Sequence, residues 1–176
     1  MSFIVELLPS AGPALVVGGG AVAARKVRNL CEGEFEVVVV APEVDQAISL
    51  QPFVTVIAAP FQEEHLRLRD FALVFACTGN REVNAEVGRL ARARHIPVVV
   101  ADAQEESTFF TPAALRDGDL TLAVSTGGAS PTLAREIRER IVTTLGPAWG
   151  RLVWLAREER EKRDERRRDR LAGGRQ

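Results

Sequence analysis

The stretch Ala14-Leu15-Val16-Val17-Gly18-Gly19-Gly20-Ala21-Val22-Ala23-Ala24-Arg25-Lys26-Val27 constrains this chain more than any other. Four apolar residues run into three glycines, and Ala23, Val27, Leu30 and Cys31 then recur at helical spacing. The pattern predicts a strand, a tight turn and a helix. Gly18, Gly20 and Ala23 satisfy the G-x-G-x-x-G/A spacing. In that arrangement the first glycine permits the turn, the second lets a pyrophosphate approach the backbone, and the small third residue packs the helix against the strand. The new helix aims its free N–H groups and the positive end of its dipole at the phosphates. Gly19, Ala21 and Val22 complete the candidate cradle. A glycine turn with no ligand is the competing reading.

The rest of the first 110 residues extends the same architecture. Glu36 to Val40 ends in four valines and reads as a strand buried on both faces. Phe53 to Ile57, Phe71 to Cys77 and Ile96 to Ala101 are further strands. Gln62 to Arg69 and Glu82 to Arg94 are helices between them, and Ile4 to Leu8 reads as a short edge strand. Strands alternating with helices predict a doubly wound parallel (Rossmann) sheet over residues 1–110.

After Asp102 the pattern changes. Residues 111–176 read as a smaller helix-rich region with one strand pair. Pro112 to Arg116 reads as one helical turn, Asp117-Gly118-Asp119 as a turn and Leu120 to Val124 as a half-exposed strand. Ser130 suits an N-cap and Pro131 the first helical position of a helix whose apolar face is Leu133, Ala134, Ile137, Ile141 and Leu145. A last helix begins near Trp149. From Arg157 to Arg170 every residue is charged, eight basic and six acidic, which predicts a solvated mixed-charge helix fraying into a tail.

The bulk numbers exclude several classes. A net charge of −1 gives no general attraction to nucleic acid or to an acidic membrane. No apolar run approaches the roughly 18 residues that span a bilayer. Cys31 and Cys77 lie in apolar settings and read as core thiols of a cytoplasmic protein. His65 and His95 stand on different expected elements and form no metal site.

Two further places at strand ends suit a dinucleotide. Val40-Ala41-Pro42-Glu43 puts Pro42 and Glu43 where an acid usually holds the adenosine ribose. No Arg or Lys lies between Glu34 and Gln62, so a 2′-phosphate would meet acids and no cation; this favours NAD over NADP. A surface acid after a proline turn accounts equally well for Glu43. Thr78, Gly79 and Asn80 follow the fourth strand, where ligands to such sheets collect. An ordinary turn is the alternative there.

Four stretches together resemble the siroheme synthase N-terminal family, the precorrin-2 dehydrogenases that are often also sirohydrochlorin ferrochelatases. They are Val16-Val17-Gly18-Gly19-Gly20-x-Val22-Ala23-x-Arg25-Lys26, Ala76-x-Thr78-x-x-x-x-Val83-Asn84, Val99-Val100-Ala101-Asp102-Ala103 and Val124-Ser125-Thr126-Gly127-Gly128-x-Ser130-Pro131-x-Leu133-Ala134-Arg135. The resemblance runs from about residue 12 to residue 146. It implies NAD-dependent oxidation of precorrin-2 to sirohydrochlorin, with Asp102 as the essential aspartate and no resident metal. It implies that Ser125, Gly127, Gly128 and Ser130 lie at the substrate, with Ser130 phosphorylated in some relatives. A tetrapyrrole with many carboxylates also needs cations, for which Arg116 and Arg135 are candidates. Pairing of two copies through the region after Phe110 is implied as well, burying Leu133, Ile137, Ile141, Leu145, Leu152 and Trp154.

The sequence departs from the family in two places. Thr108-Phe109 stands where Ser-Phe is usual, and the long helical region of many relatives past position 150 is here a charged run. The resemblance therefore carries insertion of ferrous iron less far than dehydrogenation. The competing function is an NAD-responsive binding module without catalysis. The Gly127 to Pro131 loop argues against it, because a sensor needs no second anion site.

Overall fold

Four consecutive valines form β2, Val37–Val40, the second strand of a five-stranded sheet. β-branched side chains suit a pleated surface packed on both faces, and all four are buried. In the computed structural model, which describes residues 3–146 and 149–173, β2 lies between β1, Ala14–Val17, and β3, Val54–Ile57. On the other side of β1 come β4, Leu73–Ala76, and β5, Val98–Val100. The order is β3-β2-β1-β4-β5, and every pair is parallel. This is the expected Rossmann-type sheet.

The period of two along each strand divides the core between the two faces. Leu15, Val17, Val38, Val40, Val74, Ala76, Val98 and Val100 face one layer, where they meet Val87, Leu90 and Ala91 of α3, Arg81–Ala93. Ala14, Val16, Val37, Val39, Phe75 and Val99 face the other. There they meet Ala23, Val27, Leu30 and Cys31 of α1, Ala21–Cys31, and Ile48 of α2, Gln46–Ser49. Each fully buried valine or leucine contributes about 1.5–3 kcal/mol, so a sheet covered on both faces supplies most of this unit's stability.

The contacts divide the chain between Phe110 and Thr111. The second unit holds an antiparallel hairpin of β6, Ala113–Asp117, and β7, Leu120–Val124, followed by α4, Pro131–Leu145, and α5, Trp149–Gly173. The hairpin loop is Gly118-Asp119, with Gly118 at φ 57°, as a tight two-residue turn demands. Arg138 on α4 donates to the Ala114 carbonyl of β6 at 3.2 Å. Asp117 caps α5 by accepting from the Gly150 N–H at 2.9 Å.

Several local expectations need correction. Residues 4–8 form no strand; they are exposed and unpaired to the sheet. Residues 113–116 are strand and not a helical turn, because pairing with β7 overrides the helix preference of Ala-Ala-Leu-Arg. The segment expected as a helix over 62–69 is a 3-10 helix, Glu63–Arg67, and α2 is additional. The charged run is helical through Gly173. Among the described residues no helix is long and apolar enough to cross a membrane.

Candidate cofactor and active site

Strand register assembles the site. Val40, Val17, Ala76 and Val100 lie in one row across β2, β1, β4 and β5. Two residues further on, at the carboxyl edge, come Pro42, Gly19, Thr78 and Asp102. Neighbouring strands lie about 4.8 Å apart, so the glycine turn and the Asp102 turn leave the sheet roughly 10 Å apart. This edge is where open α/β sheets bind ligands.

The three glycines do different work. Gly18 has φ 122°, and a Cβ there would collide with the Cys77 carbonyl. A Cβ on Gly19 would collide with the Glu43 carbonyl, and the Gly19 carbonyl accepts from the Asp45 N–H at 2.7 Å. Gly18 and Gly19 are thus needed for the turn itself. At Gly20 a Cβ would meet nothing within 4 Å. That open space beside the backbone is what a pyrophosphate requires.

Helices α1 and α3 both begin at this edge, and they differ. The N-cap of α1 is Gly20, which has no side chain to satisfy the first N–H groups, and the first turn carries no acid. The N–H groups of Ala21, Val22 and Ala23 are therefore left for an anion. The N-cap of α3 is Asn80, whose side-chain oxygen accepts from the N–H groups of Glu82 at 2.8 Å and Val83 at 3.2 Å. The α3 terminus is thus already capped, and the side chain of Asn80 is committed to it. A dinucleotide fits the α1 end of this edge: backbone donors, no competing acid, and space at Gly20.

The two acids after β2 differ in a similar way. Asp45 is engaged as the N-cap of α2, accepting from the Ala47 N–H at 2.8 Å. Glu43 is exposed after Pro42, and its carboxylate makes no hydrogen bond or ion pair among the described residues.

Asp102 lies in the turn after β5, with its side chain 38% exposed and 3.9 Å from the Arg81 guanidinium. The loop that carries it is fastened to the outer edge of β5 by hydroxyls. Ser107 Oγ accepts from the Val100 N–H at 2.9 Å, and Thr108 Oγ1 accepts from the Val98 N–H at 2.8 Å. Serine and threonine offer the same hydroxyl, which explains why Thr108 can stand in the serine position. Phe109 then packs edge-on against Phe75, with ring centroids 5.5 Å apart.

Beneath this edge Cys77 is buried, and loss of solvent pushes its thiol up to about 11, the nearby Lys26 and Arg25 offsetting part of the effect. Burial also lowers Lys26, whose ammonium sits 5.5 Å from the centre of the Phe75 ring. A thiol so protonated is a packing group, not a nucleophile. Among the described residues no group of three or more His, Cys, Asp or Glu side chains could hold a metal ion.

In the second unit, Ser125, Gly127, Gly128 and Ser130 form the loop that leads into α4. Gly127 and Gly128 both have positive φ, 63° and 85°. Thr126 Oγ1 accepts from the Ser130 N–H at 3.0 Å, and Ser130 Oγ accepts from the Leu133 N–H at 3.2 Å. Ser130 is therefore an N-cap in fact. Arg135 donates from Nε to the Pro131 carbonyl at 3.3 Å, and Arg116 is exposed on β6.

Residues 9–113 match the family model described as putative NAD(P)-binding, and residues 117–144 match the model of the sirohaem biosynthesis protein central region. The chain belongs to the siroheme synthase N-terminal family. A siroheme synthase of Methylobacillus flagellatus is 42% identical over 85% of this chain and 32% of its own length. One of Nitrosomonas europaea is 41% identical over 84% of this chain and 32% of its own. The chain thus spans about a third of the curated relatives it matches. The solved structure of SirC, precorrin-2 dehydrogenase, superposes with a TM-score of 0.71 at 25% identity, over 89% of this chain and 78% of that one. The first unit is thus a nicotinamide-dinucleotide domain of the NAD(P)-binding class.

Proposed function

We propose that this chain is an NAD-dependent precorrin-2 dehydrogenase, oxidising precorrin-2 to sirohydrochlorin in siroheme biosynthesis. The observation that carries the reading is the shared register of the Gly18–Gly20 turn and Asp102 on one sheet edge. The precorrin-2 dehydrogenase name of the structural neighbour and the siroheme synthase relatives support it.

NAD, when bound, supplies the acceptor for a hydride leaving the macrocycle. The protein's own residues do the rest. The N–H groups of Ala21 and Val22 receive the pyrophosphate, with Gly19 and Gly20 beneath it. Pro42 and Glu43 receive the ribose hydroxyls, and the Thr78-Gly79-Asn80 turn flanks the dinucleotide. Asp102 accepts the proton that leaves the substrate as the hydride departs, a task for which a positioned carboxylate is suited. Ser125, Gly127, Gly128 and Ser130 at the α4 terminus, with Arg116 and Arg135, receive substrate carboxylates.

We place the protein in the cytoplasm on its two buried free thiols. We read it as a homodimer, because Leu133, Ile137, Leu145, Trp149, Leu152 and Trp154 are at least 36% exposed in a unit too small to bury them alone. A monomer mass by light scattering at micromolar concentration overturns the dimer. Incubation with precorrin-2 and NAD tests the activity: sirohydrochlorin absorbance and NADH should rise together. Repeating it with ferrous iron reads whether iron insertion follows. Tight NAD binding without oxidation of precorrin-2 would replace the enzyme by the sensor reading.

A further inference from the structure

Among the described residues Asn84 is the one buried polar residue of the first unit, with no exposed surface, one turn into α3. A buried amide is tolerated only when its hydrogen bonds are made, and leaving one unmade is costly. The side-chain hydrogen bonds of Asn84 go to one residue, Thr78. Its Oδ1 accepts from the Thr78 N–H at 2.9 Å and from the Thr78 hydroxyl at 2.8 Å, and its Nδ2 donates to the Thr78 carbonyl at 3.0 Å. Thr78 is thereby held at every polar atom it has. Thr78 Oγ1 in turn accepts from the Asn80 N–H at 3.1 Å, so the clamp extends to the end of the turn.

An N-cap is already supplied to this helix by Asn80, so Asn84 is not needed to start it. What it fixes is the wall against which the glycine turn packs. A Cβ on Gly18 would stand 3.0 Å from the Thr78 nitrogen, so the two loops are in close backbone contact. Movement of Thr78 would displace the first glycine of the dinucleotide turn directly. Gly79 beside it has open space where its side chain would be.

We propose that Asn84 is a positioning residue for the dinucleotide: by clamping Thr78 it holds the β4–α3 turn and, through Gly18, the β1–α1 turn in the spacing that receives the cofactor. This rests on the assignment of that edge to NAD. Asn84 touches no reacting atom; it acts through Thr78.

The test measures NAD affinity by calorimetry, with melting temperature on the same samples. Asn84→Asp keeps the size and the acceptors but loses the Nδ2 donor. It should weaken NAD at least tenfold and raise the KM for NAD with a smaller change in kcat. Thr78→Val should weaken NAD in the same direction, and Thr78→Ser should keep the native affinity. Leu66→Ala, a buried change in the 3-10 helix, destabilises the same unit from outside either loop, and it should leave NAD affinity unaltered. If Asn84→Asp and Thr78→Val lower the melting temperature but bind NAD as the parent does, Asn84 is only a core amide and the proposal falls. Gly20→Asp separates the two ideas. Unchanged NAD binding in that variant removes the site assignment itself, whereas lost binding there with intact binding in the Asn84 variant removes the clamp alone. Should Asn84→Asp not fold, the two Thr78 variants decide.

Discussion

The guanidinium of Arg81, the first residue of α3, lies 3.9 Å from the carboxylate of Asp102 in the turn after β5. Arg81 also pairs with Glu106 further along the same loop. It is continuous with the Thr78-Gly79-Asn80 turn, so the β4–α3 turn and the Asp102 loop are joined by an ion pair at the sheet edge. Both side chains of the Arg81–Asp102 pair are more than a third exposed. Such exposed pairs are screened by solvent and contribute little to stability, which separates its structural weight from its chemical one.

Asp102→Ala should lower precorrin-2 oxidation by about 10² to 10⁴, with NAD affinity and melting temperature close to the parent. Turnover, affinity and melting are read on one sample. A variant that keeps turnover within a few-fold moves the proton-accepting role elsewhere on the loop.

Gly19 and Gly20 are neighbours with opposite demands. Gly19→Ala puts a methyl into the Glu43 carbonyl, and overpacking of this kind costs about 1–3 kcal/mol. At about 2–4 °C per kcal/mol for a chain of this size, a fall in melting temperature is readily measured. Gly20→Asp meets open space and should fold normally, yet it sets a carboxylate where the pyrophosphate is assigned and should abolish NAD binding. Calorimetry and thermal melting on both variants check the contrast. A folded Gly20→Asp with native NAD affinity overturns the assignment.

The glycine turn, the valine strand and Ser130 as an N-cap were legible because each is a local signal. Gly18, Gly20 and Ala23 sit within six residues, and Val37–Val40 carries its own strand preference. Ser130-Pro131 reads directly as a helix start. The elements that escaped depend on distant partners. Ala113–Asp117 has helix-forming residues and becomes strand only because β7 pairs with it. Residues 4–8 look like a strand but have no neighbour to pair with. α2 spans four residues, too few for periodicity, though Asp45 is a readable cap. Asn84 was visible as part of a motif, but its bonds to Thr78 exist only once β4 and α3 are packed. The same is true of the division between Asn80, which caps its helix, and Gly20, which does not.

Cys77 predicts a pH dependence. Its thiol is ordinary at 9.0 when solvated and is pushed up to about 11 in the fold, chiefly by burial. The folded state therefore keeps a proton that the unfolded chain loses on that interval. Stability is fully present below the unfolded value and falls as pH rises from 9.0 toward about 11, by about 2–3 kcal/mol for a shift of this size. Urea unfolding at both ends of the window should show the fall, with a shallower slope in Cys77→Ala. An unchanged slope in that variant assigns the effect to other groups, Cys31 first, which burial also raises.

Ser130 separates helix capping from substrate contact. Its Oγ accepts from the Leu133 N–H, so Ser130→Ala should cost about 1 kcal/mol. Aspartate caps as well as serine does and adds negative charge that complements the α4 dipole. Ser130→Asp should therefore melt at or above the parent temperature. The same charge, set at the loop assigned to the carboxylates of precorrin-2, should repel them. The KM for precorrin-2 should rise severalfold in Ser130→Asp while NAD affinity is unmoved, because the cofactor cradle lies on β1 and α1. Ser130→Ala should lower stability and raise the KM for precorrin-2 less than Ser130→Asp does, because one neutral donor is lost and no like charge is added. Native KM in both variants would leave Ser130 as a cap alone and take the substrate carboxylates away from the α4 terminus.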